Sequence, residues 1–394
     1  MDSSQGFEFY LIVTPGFEAL ALKEIERWDV PLLSEPVVGR GGITLSLDSI
    51  EDGFELNRVL KIPTRIVLRI AAFGCRDFPK LFKKMSAFPW EVWADDDVVL
   101  KFQASSHASR LFIKKRIEQT CQEARDRHLK NRGVKPPEAS AVSVNGIKEQ
   151  LVLVRLDEDV CTVSLDTSGE ILHKRGTREL VSEAPIRETM ASAMLQFMES
   201  IGSVPEKIEL VDPMMGAGTF FLEAGSIRRT IGTRDFAYQK FNVETEEERP
   251  PLEAVDKNPY ESFHGFDLNS KTLKAAEENL TDLFGSENFR ITTTCADVFE
   301  ANPLPTHPNR WLITNPPYGE RLKVPVPLAE YYKSLFEACE KVFTPARACF
   351  VLPEKARPLS LSIPSAWKRV GDLGFSNGGL AVRVVVYERK HSRG

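Results

Sequence analysis

Beyond Arg178, six short runs rich in apolar and β-branched residues, at 208–211, 263–266, 290–294, 310–314, 347–352 and 380–387, alternate with stretches of helical periodicity. Parallel strands need crossovers long enough to hold a helix, so this alternation leaves few folds open. It predicts an α/β chain with a doubly wound, Rossmann-like parallel sheet covered by helices on both faces, the last run closing it as an antiparallel edge. The N-terminal region reads differently. A strand at 7–13, a break at Pro15-Gly16, a helix at 17–28, a strand at 43–47, a helix at 49–60 and a strand at 65–73 predict a small α+β module. From Pro79 follow a short helix, an aromatic cluster Phe88-Pro89-Trp90-Glu91-Val92-Trp93, a strand at 98–104, a long helix from His107 to Leu129, and strands at 142–144, 151–156 and 161–165. The Glu- and Pro-rich stretch from Glu244 to Asn258 reads as a long exposed insertion.

Composition excludes several classes. No run of eighteen apolar residues occurs, and Met1-Asp2-Ser3-Ser4-Gln5 has neither the basic region nor the apolar core of a secretion signal, so a cytoplasmic protein off the membrane is expected. The six cysteines are scattered with no Cys-x-x-Cys pair, which predicts neither a zinc site nor a disulfide framework. A net charge of −5 argues against a chain that coats nucleic acid all over. Residues 101–135 are the exception, with ten basic residues against three acidic ones. Within the predicted helix, Arg110, Lys114, Arg125, His128 and Arg132 fall on one side at 3.6 residues per turn. That stripe reads either as a solvated face or as a surface that tracks phosphates without reading sequence.

The chemistry-bearing residues cluster at predicted strand ends. Ile208–Val211 runs into Asp212-Pro213-Met214-Met215-Gly216-Ala217-Gly218-Thr219 and then a helical segment. Glycines at 216 and 218 let backbone approach a ligand, and the helix amides beyond, from Thr219 on, can receive a carboxylate or other anion. A third glycine and a Gly-Lys-Ser/Thr are both missing, which speaks against NAD and ATP. Asp267 ends the second strand, where a carboxylate can accept ribose hydroxyls, and Asp297 follows the third, placed to meet an adenine amino group. Each of these two carboxylates also fits a plain cap or turn.

The fourth strand leads into Asn315-Pro316-Pro317-Tyr318. Successive prolines fix φ and bar helix, so the Asn315 side-chain oxygen and the Pro316 carbonyl are expected to face outward as two rigid acceptors. Two acceptors match the two hydrogens of a planar exocyclic amine and favour its rehybridisation as it attacks a methyl sulfonium. Tyr318 is expected to stack on an extracted base.

The order Asp-Pro-Met-x-Gly-x-Gly-Thr, then Asn-Pro-Pro-Tyr-Gly-Glu-Arg-Leu, together with Leu165–Arg178, Glu183–Glu188 and Asn377–Leu380, resembles the THUMP-domain RNA guanine-N2 methyltransferases, most of all those acting on bacterial 23S rRNA. Met215 stands where that family usually has Cys, Ala217 where it often has Ser, and Thr177 where Tyr is common. The resemblance implies a class I methyltransferase domain at 169–394 preceded by a ferredoxin-like domain at 1–70 and a THUMP RNA-binding domain at 71–168. It implies S-adenosylmethionine as cofactor, held by Asp212, Gly216, Gly218, Thr219, Asp267 and Asp297, and catalysis at Asn315, Pro316, Pro317 and Tyr318. RNA is the implied partner, through Arg110, Lys114, Arg125 and Arg132, with 23S rRNA expected, tRNA the alternative, and no metal. The segment Asp235–Phe241 is expected to help wall the site. Rival readings are methylation of adenine N6 or of a glutamine amide, an RNA-binding assembly factor with an inactive domain, and a dinucleotide-dependent oxidoreductase.

Overall fold

The structure, a computed structural model, describes residues 6–137, 149–176, 186–232, 234–243, 250–285, 289–319, 324, 326–354, 363–377 and 379–390. Two seven-stranded sheets organise it. The first is built from β1 (Phe7–Ile12), β2 (Val37–Gly39), β3 (Gly42–Leu47), β4 (Arg65–Gly74), β5 (Val99–His107), β6 (Glu149–Asp157) and β7 (Val160–Asp166), in the order β2-β3-β1-β4-β7-β6-β5. Strand β4 pairs with β1 on one side and β7 on the other, so the two N-terminal α+β regions share one continuous sheet. Helices α1 (Glu18–Arg27) and α2 (Ile50–Val59) belong to the first region, α3 (Phe78–Ser86) and α4 (Lys114–Asn131) to the second. The strand expected at 142–144 lies outside the described residues.

The second sheet contains β8 (Ile208–Asp212), β9 (Tyr260–Asp267), β10 (Arg290–Cys295), β11 (Arg310–Thr314), β12 (Arg347–Pro353), β13 (Trp367–Asn377) and β14 (Leu380–Arg389), in the order β10-β9-β8-β11-β12-β14-β13. Strands β8 to β12 are mutually parallel, β14 runs antiparallel to β12, and β13, antiparallel to β14, returns to the direction of the other five. Side chains of β12 alternate between two cores: Cys349 and Val351 belong to the one that also holds α6 (Thr219–Ser226) and α7 (Ser270–Phe284), and Ala348, Phe350 and Leu352 to the one that holds α8 (Leu328–Phe343). Helices therefore cover both faces, as the alternation predicts. The closing edge differs from expectation. Strand β14 is antiparallel but interior, and the edge is β13, whose sequence Trp-Lys-Arg-Val-Gly-Asp-Leu-Gly-Phe-Ser-Asn mixes charge and glycine and so shows no apolar run.

Buried polar contacts lock the N-terminal region to the second sheet. Arg175 reaches both carboxylate oxygens of Glu223 in α6, at 3.2 and 3.1 Å, and donates to the carbonyls of Leu172 and Lys61. Ser192, on α5 (Glu188–Glu199), donates to Glu223 as well. Glu24 of α1 accepts the amides of Lys61 and Ile62 and the side chain of Gln196 from α5. Arg234 ties the insertion down through the carbonyls of Ser168, Glu170, Ile171 and Lys174. The aromatic segment beside it packs on the N-terminal region, where the Tyr238 amide donates to the Thr167 carbonyl. Tyr238 stacks on Phe54 of α2 at 4.8 Å and on Phe236 at 5.6 Å, so this segment staples the insertion to the N-terminal region rather than walling the site.

Candidate active site

Strand β8 ends at Asp212, whose carboxylate Oδ1 accepts the Met214 amide at 3.0 Å and opens the turn into α6. The chain then passes through two left-handed glycines, Gly216 (φ 54°) and Gly218 (φ 78°), before the helix begins at the buried Thr219. At Gly218 an added Cβ would meet Met215, Ala276 and Leu280 at 3.4–3.5 Å. Those are ordinary contacts, so what calls for glycine here is the left-handed backbone conformation.

The neighbouring strand end folds onto this turn. Asp267 accepts the Gly216 amide at 3.0 Å with one carboxylate oxygen and the Asn269 amide at 2.9 Å with the other, and Met215 donates its amide to the Phe266 carbonyl. The long insertion between Asp212 and Asp267 therefore loops out without disturbing their meeting. Asp297 follows β10 and accepts the Phe299 amide at 2.9 Å. Its charge reaches Tyr331 of α8, which packs edge-on against Phe299 and donates to the Met214 sulfur at 3.6 Å.

Burial pushes the Asp212 carboxyl up to about 7, with the charge of Asp267 adding to the rise and the Met214 amide opposing it. A carboxyl held above its unfolded value of about 4 favours the fold while protonated. Its contribution is complete below pH 4 and is lost as pH climbs through 7. Asp212→Asn should consequently gain stability on the parent between pH 5 and 8, and melting curves of the ligand-free proteins across that range check it. Parallel curves would return this carboxyl to the ordinary range.

Gly265 of β9 carries weight that its position in a strand only hints at. A Cβ there would lie 1.9 Å from the Met215 sulfur and 2.9 Å from the Phe221 ring, the close approach that glycine inside a strand signals. Gly265→Ala is expected to cost about 1–3 kcal/mol by overpacking. The double variant with Met215→Ala should recover part of that loss in urea unfolding, and independent, additive effects would count against the contact.

Strand β11 lies directly beside β8, with Leu312 opposite Val211, so Asn315-Pro316-Pro317-Tyr318 emerges next to the glycine turn. Pro316 is buried and Asn315 partly exposed. Tyr332 of α8 donates its hydroxyl to the Pro317 carbonyl at 2.9 Å and fixes the turn from beneath. Tyr318 folds back, its hydroxyl donating to Asn315 Oδ1 at 2.5 Å. The Asn315 oxygen, expected to face outward, is thus met by the phenol, a contact the sequence does not show. Glu320, Arg321 and Leu322 lie outside the described residues. The described residues hold no cluster of three metal-ligating side chains, and no helix among them is long and apolar enough to cross a membrane.

The basic stripe is not one surface. Helix α4 starts at Lys114, not His107, because residues 108–113 form a turn with Ala108 at φ 44°. Arg110 and Lys114 are exposed at that end, whereas Arg132 lies ~27 Å further along, at 1.5 Å per residue from Lys114, and pairs with Asp96 at 2.6 Å. Arg125 is only 2% exposed and faces inward with Ile117, Cys121 and Ala124. The stripe's angular sector is also the apolar one, and burial of the apolar residues takes the arginine with it. His128 likewise turns to Glu91 and the Ser86 carbonyl.

Strand order, the glycine turn, the acidic strand ends and the Asn-Pro-Pro-Tyr turn together define a methyltransferase of class I architecture. The chain belongs to the RMKL-like methyltransferase domain family, whose model matches residues 175–380. The ribosomal RNA large subunit methyltransferase K/L of Syntrophotalea carbinolica is 25% identical over 405 residues, 98% of this chain and 54% of that protein. The chain thus spans about half the length of that relative. YpsC of Bacillus subtilis is 26% identical over 352 residues, 86% of each protein. Among solved structures, SMU.472 complexed with SAH superposes with a TM-score of 0.77 at 23% identity, covering 99% of this chain and all of that one. TrmN from Thermus thermophilus superposes at 0.67 with 16% identity, covering 98% and 100%. At these identities the two structures establish the fold.

Proposed function

We propose that this chain transfers a methyl group from S-adenosylmethionine to the exocyclic N2 of a guanine in RNA, with 23S rRNA the first substrate to test and tRNA the second. One observation carries the reading: the acceptor turn at Asn315 and the glycine turn at Gly216 leave adjacent parallel strands at the same sheet edge. Methyl donor and amine are thereby brought to one place, at the carboxyl ends of the strands, where open α/β sheets bind ligands.

The residues present fit the cofactor. Asp267 is held by two backbone amides with its carboxylate partly exposed, suited to ribose hydroxyls, and Asp297 is similarly oriented for the adenine amine. Asp212, Gly216, Gly218 and Thr219 form the turn that receives the methionine portion. The sulfonium supplies an electrophilic methyl group when bound. Asn315 Oδ1 and the Pro316 carbonyl accept the amine's hydrogens, which frees its lone pair for attack, and Pro317 holds the turn rigid. Tyr318 leaves Asn315 to stack on the incoming base. No metal has a role.

We further assign residues 1–70 to a ferredoxin-like unit, 71–168 to a THUMP unit and 169–394 to the methyltransferase unit. The name of the K/L relatives, which states ribosomal RNA of the large subunit, supports RNA as substrate. The test is methylation of rRNA and tRNA from a strain lacking the protein, followed by nucleoside mass spectrometry. New 2-methylguanosine in one of the two supports the reading, and new 6-methyladenosine or no product overturns it. Calorimetry with S-adenosylmethionine separates an inactive RNA-binding factor from an enzyme.

A further inference from the structure

Phe112 is the most exposed large apolar side chain among the described residues, at 70%, and Ile113 beside it is 49% exposed. The turn that carries them is firmly held. Leu111 is buried, and its carbonyl accepts from the Ser106 hydroxyl at 2.7 Å. The Arg110 amide donates to Asp159 Oδ1 at 2.8 Å, and the Asp159 amide to the Ser109 hydroxyl at 3.0 Å. The turn is thereby bolted to the carboxyl ends of the parallel pair β5 and β6 and to the hairpin that follows. Exposure of the ring is imposed by the fold.

Cations gather at the same turn from distant parts of the sequence. Arg76, from the end of β4, and Arg110 both approach Asp159 Oδ2, at 3.3 and 3.7 Å, and both are 69% exposed. Lys114 and Lys115 are exposed on the first turn of α4, which has no acidic residue and no side-chain cap, and the Arg116 guanidinium lies over the Phe78 ring at 4.2 Å. Of the nearby acidic groups, Asp77 caps α3, Asp157 holds Arg155 and His107, and Glu118 accepts the Ala104 amide, whereas Glu158, beside Asp159, is exposed, so cations outnumber acids here without excluding them. An exposed aromatic ring on a turn that also carries cations matches an unpaired nucleotide, whose base stacks while its phosphates meet the charges. A duplex keeps its base faces covered, and an acidic peptide would use the cations but leave the ring in water.

We infer that the Phe112 turn, with Arg76, Arg110, Lys114 and Lys115, holds a single-stranded segment of the RNA substrate, Phe112 serving as the stacking platform. This rests on the RNA methyltransferase reading above and adds that the substrate is unpaired where it crosses this face. The test is binding of the full chain to a fluorescent, unstructured oligoribonucleotide over a series of salt concentrations, beside a duplex of equal length. Phe112→Ala should weaken the single strand by roughly five- to a hundredfold without changing the salt slope, and Phe112→Trp should restore it. Lys114→Ala with Lys115→Ala should flatten the slope. Unaltered melting temperature of Phe112→Ala confirms that the fold is kept. Single-strand affinity that survives Phe112→Ala overturns the site while leaving the enzyme reading intact. So does Phe112-dependent binding to anionic vesicles, or Phe112-dependent dimerisation, with RNA affinity unchanged. Absence of any RNA binding by the parent, even at low salt, overturns the RNA reading and this site with it.

Discussion

Asn315→Ala should lower the single-turnover methylation rate by about a hundredfold or more while leaving affinity for cofactor and RNA nearly unchanged. Its side-chain oxygen is proposed to matter most as the amine rehybridises, so its loss belongs to the transition state rather than to binding. The resting contact with Tyr318 sharpens the test, because that hydroxyl occupies the oxygen at 2.5 Å and must yield when a base arrives. Tyr318→Phe removes the competing donor but keeps the ring, and should preserve turnover. Tyr318→Ala removes the platform too, so RNA binding and turnover should fall together. Rates measured at saturating cofactor and RNA distinguish these cases. Near-normal turnover for Asn315→Ala would make Asn-Pro-Pro-Tyr a structural turn, and the mechanism would have to be abandoned.

The second large effect concerns stability. Glu223→Ala should destabilise the protein by about 3–5 kcal/mol, the usual cost of stripping one partner from a buried ion pair. Arg175 and Glu223 are 5% and 2% exposed, and the same carboxylate also accepts from Ser192. Removing it takes from a buried guanidinium its carboxylate partner, while the carbonyls of Leu172 and Lys61 remain. Glu223 sits on the helix that begins at the glycine turn, so the loss should loosen the N-terminal region and the cofactor turn together. Urea unfolding followed by tryptophan fluorescence measures it, and a shift below 1 kcal/mol would show that the pair contributes little to joining the two sheets.

Much of the second sheet was legible in the residues themselves. Six of its strands are foretold by apolar runs, and both turns of the candidate site by residues whose backbone limits are local: glycines at positive φ, prolines with fixed φ. Asp212 and Asp267 were legible as strand-end carboxylates, although the sequence did not reveal that Asp267 would clasp the Gly216 amide. Strand β13 escaped because an edge strand needs no apolar run, and β2 because three exposed residues leave no pattern. No motif in the sequence singles out Tyr331 and Tyr332, yet one underpins Met214 and the other the Pro317 carbonyl.

The basic helix marks the boundary between the two kinds of information. Its charge and its helical periodicity are properties of neighbouring residues, and the sequence alone determined both. Which side met solvent was decided by the sheet and by α3, which claimed the sector of Ile117 and Cys121 and drew Arg125 inside. The same tertiary packing left Phe112 in water and carried Arg76 to Asp159, 83 positions away in the chain. Turns and periodicities follow from sterics within a few residues, whereas burial of a face and convergence of charges depend on partners that only the folded chain brings near.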